Sequence, residues 1–176
     1  MCLIPQAPDA KTVATEVPSE TALQSLAALV ASVLPQSAFV TLSGDLGAGK
    51  TTFVKAVAAA VGVHPSLVVS PTFGLIHLHA VCADPLHATR PTRIVHADFY
   101  RLAGSTDLAE IGWGDAIGEP GWVFVEWANR IADVLPPDRL EVSIDVPSET
   151  SRIFTFTSHG HGCHGVISAI HRVNTL

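Results

Sequence analysis

The motif Gly44-Asp-Leu-Gly-Ala-Gly-Lys50-Thr51 constrains the fold of this chain more than any other feature of its sequence. It fits the pattern G-x-x-x-x-G-K-[ST]. Its glycines allow positive φ angles, so that the backbone can wrap closely around phosphate oxygens. The N–H groups of such a loop, together with the N-terminus of the helix that follows, form a cradle for anions. The motif therefore predicts a loop that binds a nucleoside triphosphate.

The segments on both sides of the motif have the periodicity that such a loop requires. Residues 38–43 form a short β-rich apolar run, which predicts a buried strand. From Lys50 onward, Phe53, Val54 and Val57 share one face of a helix. An ordinary glycine-rich turn, the alternative interpretation, requires neither a strand before it nor a helix after it. The context therefore favours the phosphate-binding loop.

The rest of the chain alternates strand-like and helix-like segments. Ser19 is a predicted N-cap, and apolar residues then recur at three- and four-residue spacing until Pro35 ends the helix. Further strands are predicted at 67–69, 73–79, 93–99, 122–126, 139–146 and 152–156, and short helices at 107–117 and 128–134. This alternation indicates an α/β protein. We predict a P-loop NTPase-like three-layer fold with a mostly parallel central sheet flanked by helices.

Composition limits the partners of the chain. Ten basic residues stand against sixteen acidic ones, a net charge of −6, and no two basic residues are adjacent. A protein without a Lys/Arg stripe is not expected to bind nucleic acid tightly on its own. Its apolar runs are far shorter than the roughly 20 residues that span a bilayer, and its three cysteines form no Cys-x-x-Cys pair. We therefore expect a reduced, cytoplasmic protein that does not associate with membranes.

Three segments differ in composition. Residues 1–16 predict a flexible N-terminal tail, residues 17–158 the P-loop ATPase domain, and residues 159–176 a Gly/His-rich C-terminal tail. The stretch 82–91 is predicted to be a loop or insertion. Four side chains near the start of the C-terminal segment could hold a soft metal: His159, His161, Cys163 and His164. The alternative, a solvated glycine-rich tail, is favoured because no second pair of ligands is evident.

Two acidic residues at strand ends are candidates for a metal site. Walker-B chemistry requires an apolar strand that ends in a carboxylate near the phosphates, and both Glu126 and Asp98 satisfy this pattern. A buried carboxylate is costly unless it is paired or bound to a metal, so an acid at the end of a buried strand is informative. The alternative for each acid is a helix cap or a surface ion pair with Arg101 or Arg130.

Four motifs together resemble one family. The segments GDLGAGKTTF (44–53), SPTF (70–73), HADFYRL (96–102) and EW (126–127) occur in the order and context of the TsaE family. That family comprises the small P-loop ATPases of tRNA threonylcarbamoyladenosine biosynthesis in bacteria. SPTF and EW are not general features of P-loop proteins, so the combination is specific. The resemblance covers roughly residues 18–157.

The resemblance implies a site for ATP and Mg²⁺. Thr51 and Glu126 would ligate the metal, Lys50 would act on the phosphates, and Asp98 would position or activate the attacking water. Trp127 would shape the site beside the metal ligand, or else serve as a core aromatic residue. The implied nucleotide-binding residues are Gly44, Asp45, Leu46, Gly47, Ala48, Gly49, Lys50, Thr51, Thr52, Ser70, Thr72, Trp127 and Arg152. Among these, Ser70 and Thr72 would belong to a segment that senses the γ-phosphate.

The resemblance also implies a function and partners. ATP hydrolysis in this family drives the cycle of a complex of TsaD and TsaB, which transfers a threonylcarbamoyl group to an adenosine of tRNA. The chain would then meet tRNA only indirectly, through homologues of TsaD and TsaB. One alternative is a small-molecule P-loop kinase, which the seven isolated arginines disfavour. Another is a nucleotide-gated binding module whose hydrolysis is vestigial.

Overall fold

A computed structural model describes residues 11–82 and 90–175 of the chain. Its strands are β1 (Thr12–Val17), β2 (Ala38–Ser43), β3 (Ile76–Ala80), β4 (Arg93–Asp98), β5 (Trp122–Glu126), β6 (Arg139–Asp145) and β7 (Arg152–His159). Its α-helices are α1 (Glu20–Val33), α2 (Lys50–Ala60), α3 (Trp113–Ile117) and α4 (His164–Asn174). Short 3₁₀ helices cover Pro65–Leu67, Ser105–Ala109 and Ala128–Val134.

The strands form a mixed sheet in the order β1-β7-β6-β2-β5-β4-β3. The four central strands β6, β2, β5 and β4 are parallel, whereas β1, β7 and β3 pair antiparallel with their neighbours. The predicted α/β class and its parallel central sheet are therefore confirmed, with antiparallel strands added at both edges. In the parallel register, Glu126 lies beside Leu42 on one side and beside Asp98 on the other. The carboxyl ends of β2, β5 and β4 thus share one edge.

Elements on both faces of the sheet make the three layers. Helices α1, α2 and α4 cover one face, where the rings of Phe53 and Phe154 lie 5.3 Å apart. Helix α3 and the 3₁₀ helices Ser105–Ala109 and Ala128–Val134 cover part of the other face, where Phe99 and Trp113 meet edge to face at 5.0 Å. Side chains alternate between the two cores along β2, β4 and β5, as strand geometry requires. Helix α2 thereby packs its buried residues Phe53, Val54 and Val57 against the first of these cores.

Helix α1 begins and ends as its sequence predicts. The Ser19 hydroxyl accepts a hydrogen bond from the Ala22 N–H at 3.2 Å, so it caps the helix at its N-terminus. Leu26, Ala27 and Val30 are its buried residues, and they lie on the predicted apolar face. The helix packs against both α2 and α4. Its predicted N-cap and its amphipathic pattern are confirmed.

The predicted tail over residues 1–16 is wrong where the structure describes it. Thr12–Val17 is strand β1, which pairs antiparallel with β7 in a register that joins Thr12 to Thr157. Val13 and Val17 point into the core, while the residues between them are exposed or half-buried. A single edge strand gains its stability from its partner, and that partner lies about 140 residues away in the sequence. Residues 1–10 lie outside the described part of the chain.

The predicted tail over residues 159–176 is also wrong for most of its length. Strand β7 continues to His159, and α4 follows after a short turn. In α4 the buried residues are Val166, Ile167, Ala169 and Ile170. Their three- and four-residue spacing is a helical signal, which the Gly- and His-rich composition of residues 159–165 obscured. The C-terminal segment is therefore part of the core, and only Leu176 lies outside the described residues.

One carboxylate organises the turn before α4. The side chain of Asp138 accepts hydrogen bonds from the backbone N–H groups of His161 and Gly162, each at 2.9 Å. These bonds lower the pKa of Asp138, and the bond from Gly162 has the largest effect. Gly160 in the same turn has a φ of 71°, and a Cβ there would collide with Asp138. Gly160 is thus required by a tight turn, although the glycines of this segment suggested flexibility.

Some predicted elements differ from the structure. The strand predicted at 67–69 is absent. His64 caps the 3₁₀ helix Pro65–Leu67, and the residues that follow this helix pair with no strand of the described chain. The strand predicted at 73–79 begins only at Ile76, after a turn in which Leu75 has a φ of 62°. The helix predicted at 107–117 is interrupted by Gly112 at a φ of 70°.

The remaining differences are small. The helix predicted at 128–134 is a 3₁₀ helix with non-helical angles at Ile131. Most of the loop predicted at 82–91 falls on residues 83–89, which lie outside the described part of the chain. Within the two described ranges, no helix combines the length and the apolar character needed to cross a bilayer.

Candidate nucleotide-binding site

The loop between β2 and α2 has the backbone conformation that its glycines allow. Gly44 has a φ of 136°, and a Cβ at this position would lie 2.5 Å from the carbonyl oxygen of Ile144. Gly49, the N-cap of α2, has a left-handed φ of 110°. Residues other than glycine rarely adopt such φ angles, and at Gly44 there is also no space for a side chain. The loop therefore turns sharply into the helix, with the N-terminus of α2 at its mouth.

Lys50 places its charge at the mouth of this loop. Its Nζ donates hydrogen bonds to the carbonyl oxygens of Gly44, at 2.7 Å, and Asp45, at 2.8 Å. Nζ also lies 4.5 Å from the centroid of the Trp127 ring. Burial lowers the pKa of Lys50, an effect that the nearby carboxylates Glu126, Asp98 and Asp45 oppose. A buried cation close to its acceptors is suited to bind a phosphate group.

Thr51 and Glu126 form a pair of oxygen donors beside Lys50. The Thr51 hydroxyl donates to Oε1 of Glu126 at 2.7 Å, and Glu126 is only 3% exposed. The first residue after the lysine of α2 thus meets the last residue of β5, because β2 and β5 are neighbours in the sheet. A hydroxyl and a carboxylate are ligands of the type that Mg²⁺ prefers. The two residues fit a site for this ion.

Asp98 lies on the next strand and collects three donors. Its Oδ2 accepts from the hydroxyls of Ser70, at 3.0 Å, and Thr72, at 2.6 Å, while its Oδ1 accepts from the Tyr100 N–H at 3.0 Å. Ser70 and Thr72 also contact each other at 2.6 Å. The SPTF segment is therefore attached to the end of β4 through this carboxylate. Asp98 is 4% exposed and remains at the surface of the cavity.

One cavity of about 340 Å³ joins these groups. Its lining residues are Leu46, Gly47, Gly49, Lys50, Thr51, Thr52, Ser70, Thr72, Asp98, Tyr100, Glu126 and Trp127. Of the other residues predicted to bind nucleotide, Gly44 and Asp45 contact the lysine from within the loop. Ala48 and Arg152 instead line an adjoining groove of about 350 Å³. The structure thus brings most of the predicted site residues into one cavity.

Arg152 supports the loop from behind. Its Nε donates to the Ala48 carbonyl oxygen at 3.1 Å, and its other donors reach carbonyls of residues 148, 149 and 151. The groove that it shares with Ala48 also contains Ser19, Glu20 and Thr150. Its position at the first residue of β7 holds the loop against the sheet. The guanidinium contacts backbone oxygens and borders the groove.

Two residues of the site were not among the predicted ones. His96 is completely buried in β4, and its Nε2 lies 2.9 Å from Oε1 of Glu126. Tyr100 lines the cavity, and its ring lies 4.9 Å from that of Trp127. Both belong to the motif HADFYRL, and a histidine two residues before a strand-end acid lies on the same face of the strand. That spacing was the available signal for His96. The sequence could not show its partner Glu126, because this residue lies on another strand.

The C-terminal histidines do not form a metal site. Nε2 of His159 pairs with Oε2 of Glu141 at 2.8 Å, on β6. Cys163 is buried, and burial raises the pKa of its thiol to about 11. Among residues 11–82 and 90–175 there is no group of three or more His, Cys, Asp or Glu side chains arranged to hold a metal ion. The metal interpretation of His159, His161, Cys163 and His164 is therefore wrong.

Comparison with known families identifies the chain. A family model described as "Threonylcarbamoyl adenosine biosynthesis protein TsaE" matches residues 17–154, which include every residue of the cavity. The chain belongs to the TsaE family. This confirms the resemblance that its motifs indicate.

Relatives in the TsaE family support the same conclusion. A protein of Bacillus subtilis named "tRNA threonylcarbamoyladenosine biosynthesis protein TsaE" is 35% identical over 144 residues, 82% of this chain and 83% of the relative. A protein of the same name from Rickettsia felis is 31% identical over 77% of this chain and 74% of its own. The crystal structure of Bacillus subtilis YdiB superposes with a TM-score of 0.69 at 26% identity, covering 93% of this chain and 97% of that one. The shared fold thus extends beyond the segment that the TsaE family model matches.

Proposed function

We propose that this protein binds ATP together with Mg²⁺ in the cavity at the ends of β2, β5 and β4, and that it hydrolyses the ATP. One observation carries the proposal: Lys50, Thr51, Glu126 and Asp98 line the same cavity of about 340 Å³. A triphosphate requires a cation and loop amides, its metal requires oxygen ligands, and its hydrolysis requires an acid that orients water. The four side chains match these requirements in type and in position.

Lys50 and the loop would bind the phosphates. The lysine now donates to two loop carbonyls, and phosphate oxygens are stronger acceptors for an ammonium because the bond is then charge-assisted on both sides. Thr51 and Glu126 would hold Mg²⁺, which would neutralise phosphate charge when bound. Arg152 would keep the loop in shape through its bond to the Ala48 carbonyl. These residues would bind and orient the nucleotide without covalent chemistry.

Asp98 would orient the attacking water, and Ser70 and Thr72 would respond to the nucleotide. Both hydroxyls donate to Asp98 and both line the cavity, so a γ-phosphate there would compete for the same donors. Exchange of one hydroxyl from Asp98 to the phosphate would move the SPTF segment and free one acceptor position on Oδ2 for water. Occupancy of the cavity would thereby be transmitted to Phe73, the last residue of the segment, which is 86% exposed.

We further propose that hydrolysis supports threonylcarbamoyladenosine modification of tRNA in the cytoplasm, through homologues of TsaD and TsaB. The names of the relatives support the pathway. The net charge of −6 and the scattered basic residues support indirect contact with tRNA, because a phosphate backbone is bound mainly by clustered Lys and Arg. Turnover is expected to be slow in the isolated protein, because no partner then supplies a cation to the developing phosphate charge.

The test of nucleotide binding compares two lysines of the same helix. Lys50→Ala should weaken binding of a nonhydrolysable ATP analogue at least about tenfold, because a charged hydrogen bond is worth about 1.5–3 kcal/mol. Lys55→Ala, five residues further along α2 and outside the cavity, should bind like the parent. Calorimetric titration of each variant with the ATP analogue, in the presence of Mg²⁺, measures the two affinities. Equal affinity in parent and Lys50→Ala would refute the assigned site.

The test of the reaction and the pathway uses labelled ATP and the partners. The parent should release free phosphate, whereas a small-molecule kinase would label an acceptor metabolite instead. Retention by immobilised TsaD and TsaB homologues should differ between the ATP analogue and ADP. Labelled metabolite without free phosphate, or identical retention with either nucleotide, would contradict the proposal.

A further inference from the structure

His96 is the most deeply buried ionisable side chain beside the proposed metal ligands. It is 0% exposed, in a strand whose neighbours Val95 and Ala97 are equally buried. Its Nε2 lies 2.9 Å from Oε1 of Glu126, across the parallel β4–β5 pair. Its other ring nitrogen, Nδ1, is buried without a hydrogen-bond partner in the described part of the chain. The ring is therefore committed to one polar contact.

Two donors converge on the same carboxylate oxygen. The Thr51 hydroxyl reaches Oε1 of Glu126 at 2.7 Å, and Nε2 of His96 reaches the same atom at 2.9 Å. The hydroxyl comes from α2 and the imidazole from β4, so the carboxylate is held from two separate elements. A carboxylate fixed in this way has one orientation rather than several rotamers. Metal ligands depend on such outer partners for their orientation and basicity.

We propose that His96 is a positioning residue that fixes the carboxylate of Glu126 for Mg²⁺. The inference rests on the proposed function and adds a residue to it. His96 does not itself contact the cavity, whose lining includes Glu126 and Thr51 but not the histidine. It acts through Glu126, by donating its Nε2–H to Oε1 and leaving the rest of the carboxylate to the metal.

Packing alone would not select a histidine at this position. The cross-strand neighbour of His96 on β5 is Phe124, and Ile94 lies two residues before His96 on the same face of β4. Both neighbours are 0% exposed. A leucine or phenylalanine would fill such surroundings without any buried polar atom. A buried imidazole carries a desolvation cost that only its hydrogen bonds offset, and Nδ1 has none among the described residues. The contact with Glu126 is the compensating feature.

The experiment measures how much Mg²⁺ is needed to bind a nonhydrolysable ATP analogue. His96→Leu removes the donor, and we expect the half-saturating Mg²⁺ concentration to rise about 10- to 100-fold. His96→Gln keeps an amide donor of similar reach and should stay within a few fold of the parent. Binding of the analogue in EDTA should be the same in all three proteins, because the phosphate contacts of Lys50 are unchanged.

A matched control separates positioning from stability. Val95→Ala truncates a buried residue of the same strand on the opposite face, so it should lower stability without changing the Mg²⁺ midpoint. Glu126→Ala provides the second control: in this background His96→Leu should produce no further rise. An additional rise of the same size there would show that His96 does not act through Glu126 and would overturn the inference.

A readout on the protein alone tests the contact directly. In ¹⁵N-histidine-labelled protein without nucleotide, one Nε2–H resonance should be protected from exchange and should shift or disappear in Glu126→Ala. Its absence from the parent would overturn the inference. If the parent binds no analogue in Mg²⁺, the proposed function fails and this role fails with it. If the parent binds it and His96→Leu leaves the midpoint unchanged, the inference alone fails.

Discussion

The Nζ atom of Lys50 lies 4.5 Å from the centroid of the Trp127 ring while it donates to the carbonyls of Gly44 and Asp45. Trp127 reaches this position from a left-handed backbone conformation, with φ 58° and ψ 37°, directly after β5. Its ring also packs against Tyr100. Trp127 therefore borders Lys50 and belongs to the site rather than to the core.

This contact predicts a fluorescence signal for nucleotide binding. A cation–π contact is worth about 0.5–2 kcal/mol, and phosphate offers the ammonium charged hydrogen bonds of about 1.5–3 kcal/mol each, so the phosphate should draw Lys50 away from the ring. Adding an ATP analogue with Mg²⁺ should change tryptophan emission, and Trp127→Phe should remove the change. Trp113 and Trp122, both buried, remain as internal controls. The same change in Trp127→Phe would assign the signal to one of them.

Replacement of Asp98 should separate binding from hydrolysis. Asp98→Asn keeps the size of the side chain and one acceptor oxygen for Ser70 or Thr72, but it loses the charge that we propose orients water. We expect phosphate release to fall about 10²- to 10⁴-fold while affinity for the ATP analogue changes little. Asp115→Asn, at an exposed position of α3, is the matched control. Full turnover in Asp98→Asn would exclude it from the chemistry.

Truncation within α4 should test whether the C-terminal helix belongs to the core. Ile167 is 2% exposed, so Ile167→Ala should lower the free energy of unfolding by about 2–5 kcal/mol. Val173 on the same helix is 56% exposed, and Val173→Ala should change it by about 0.5 kcal/mol or less. Denaturant unfolding of the two variants measures the difference. Equal stability would mean that α4 is not packed as described.

The stability of the fold should fall in mild acid because of His79. Burial lowers its pKa from the ordinary value of 6.5, and His96 and His77 lower it further. The unfolded chain then binds a proton more readily than the folded one, so the stabilisation is complete above about pH 6.5 and is lost as pH falls toward the depressed value.

Substitution of this histidine should flatten that pH dependence. His79→Leu should reduce the loss of unfolding free energy between pH 7 and pH 5, measured by denaturant titration at each pH. His171→Gln, at an exposed position of α4, should leave the slope as in the parent. A slope that is identical in His79→Leu would assign the acid sensitivity to other groups.

The sequence predicted those elements whose signals lie close together along the chain. The loop that begins at Gly44 and the cap at Ser19 depend on backbone angles and on residues three or four positions away. The apolar runs that end at Asp98 and Glu126 likewise showed two strands with an acid at the end of each. These interactions lie within one turn or one strand, so a single sequence contains the information for them.

Tertiary structure decided which of these pieces meet. The parallel register of β4 and β5 puts Asp98 beside Glu126, and it brings Nε2 of His96 onto the same oxygen that Thr51 contacts. Strand β1 forms because β7 is there to pair with it, and the chain turns tightly before α4 because Asp138 accepts the N–H groups of His161 and Gly162. Such contacts join residues that are distant along the chain, and their free energy arises only when the whole sheet assembles.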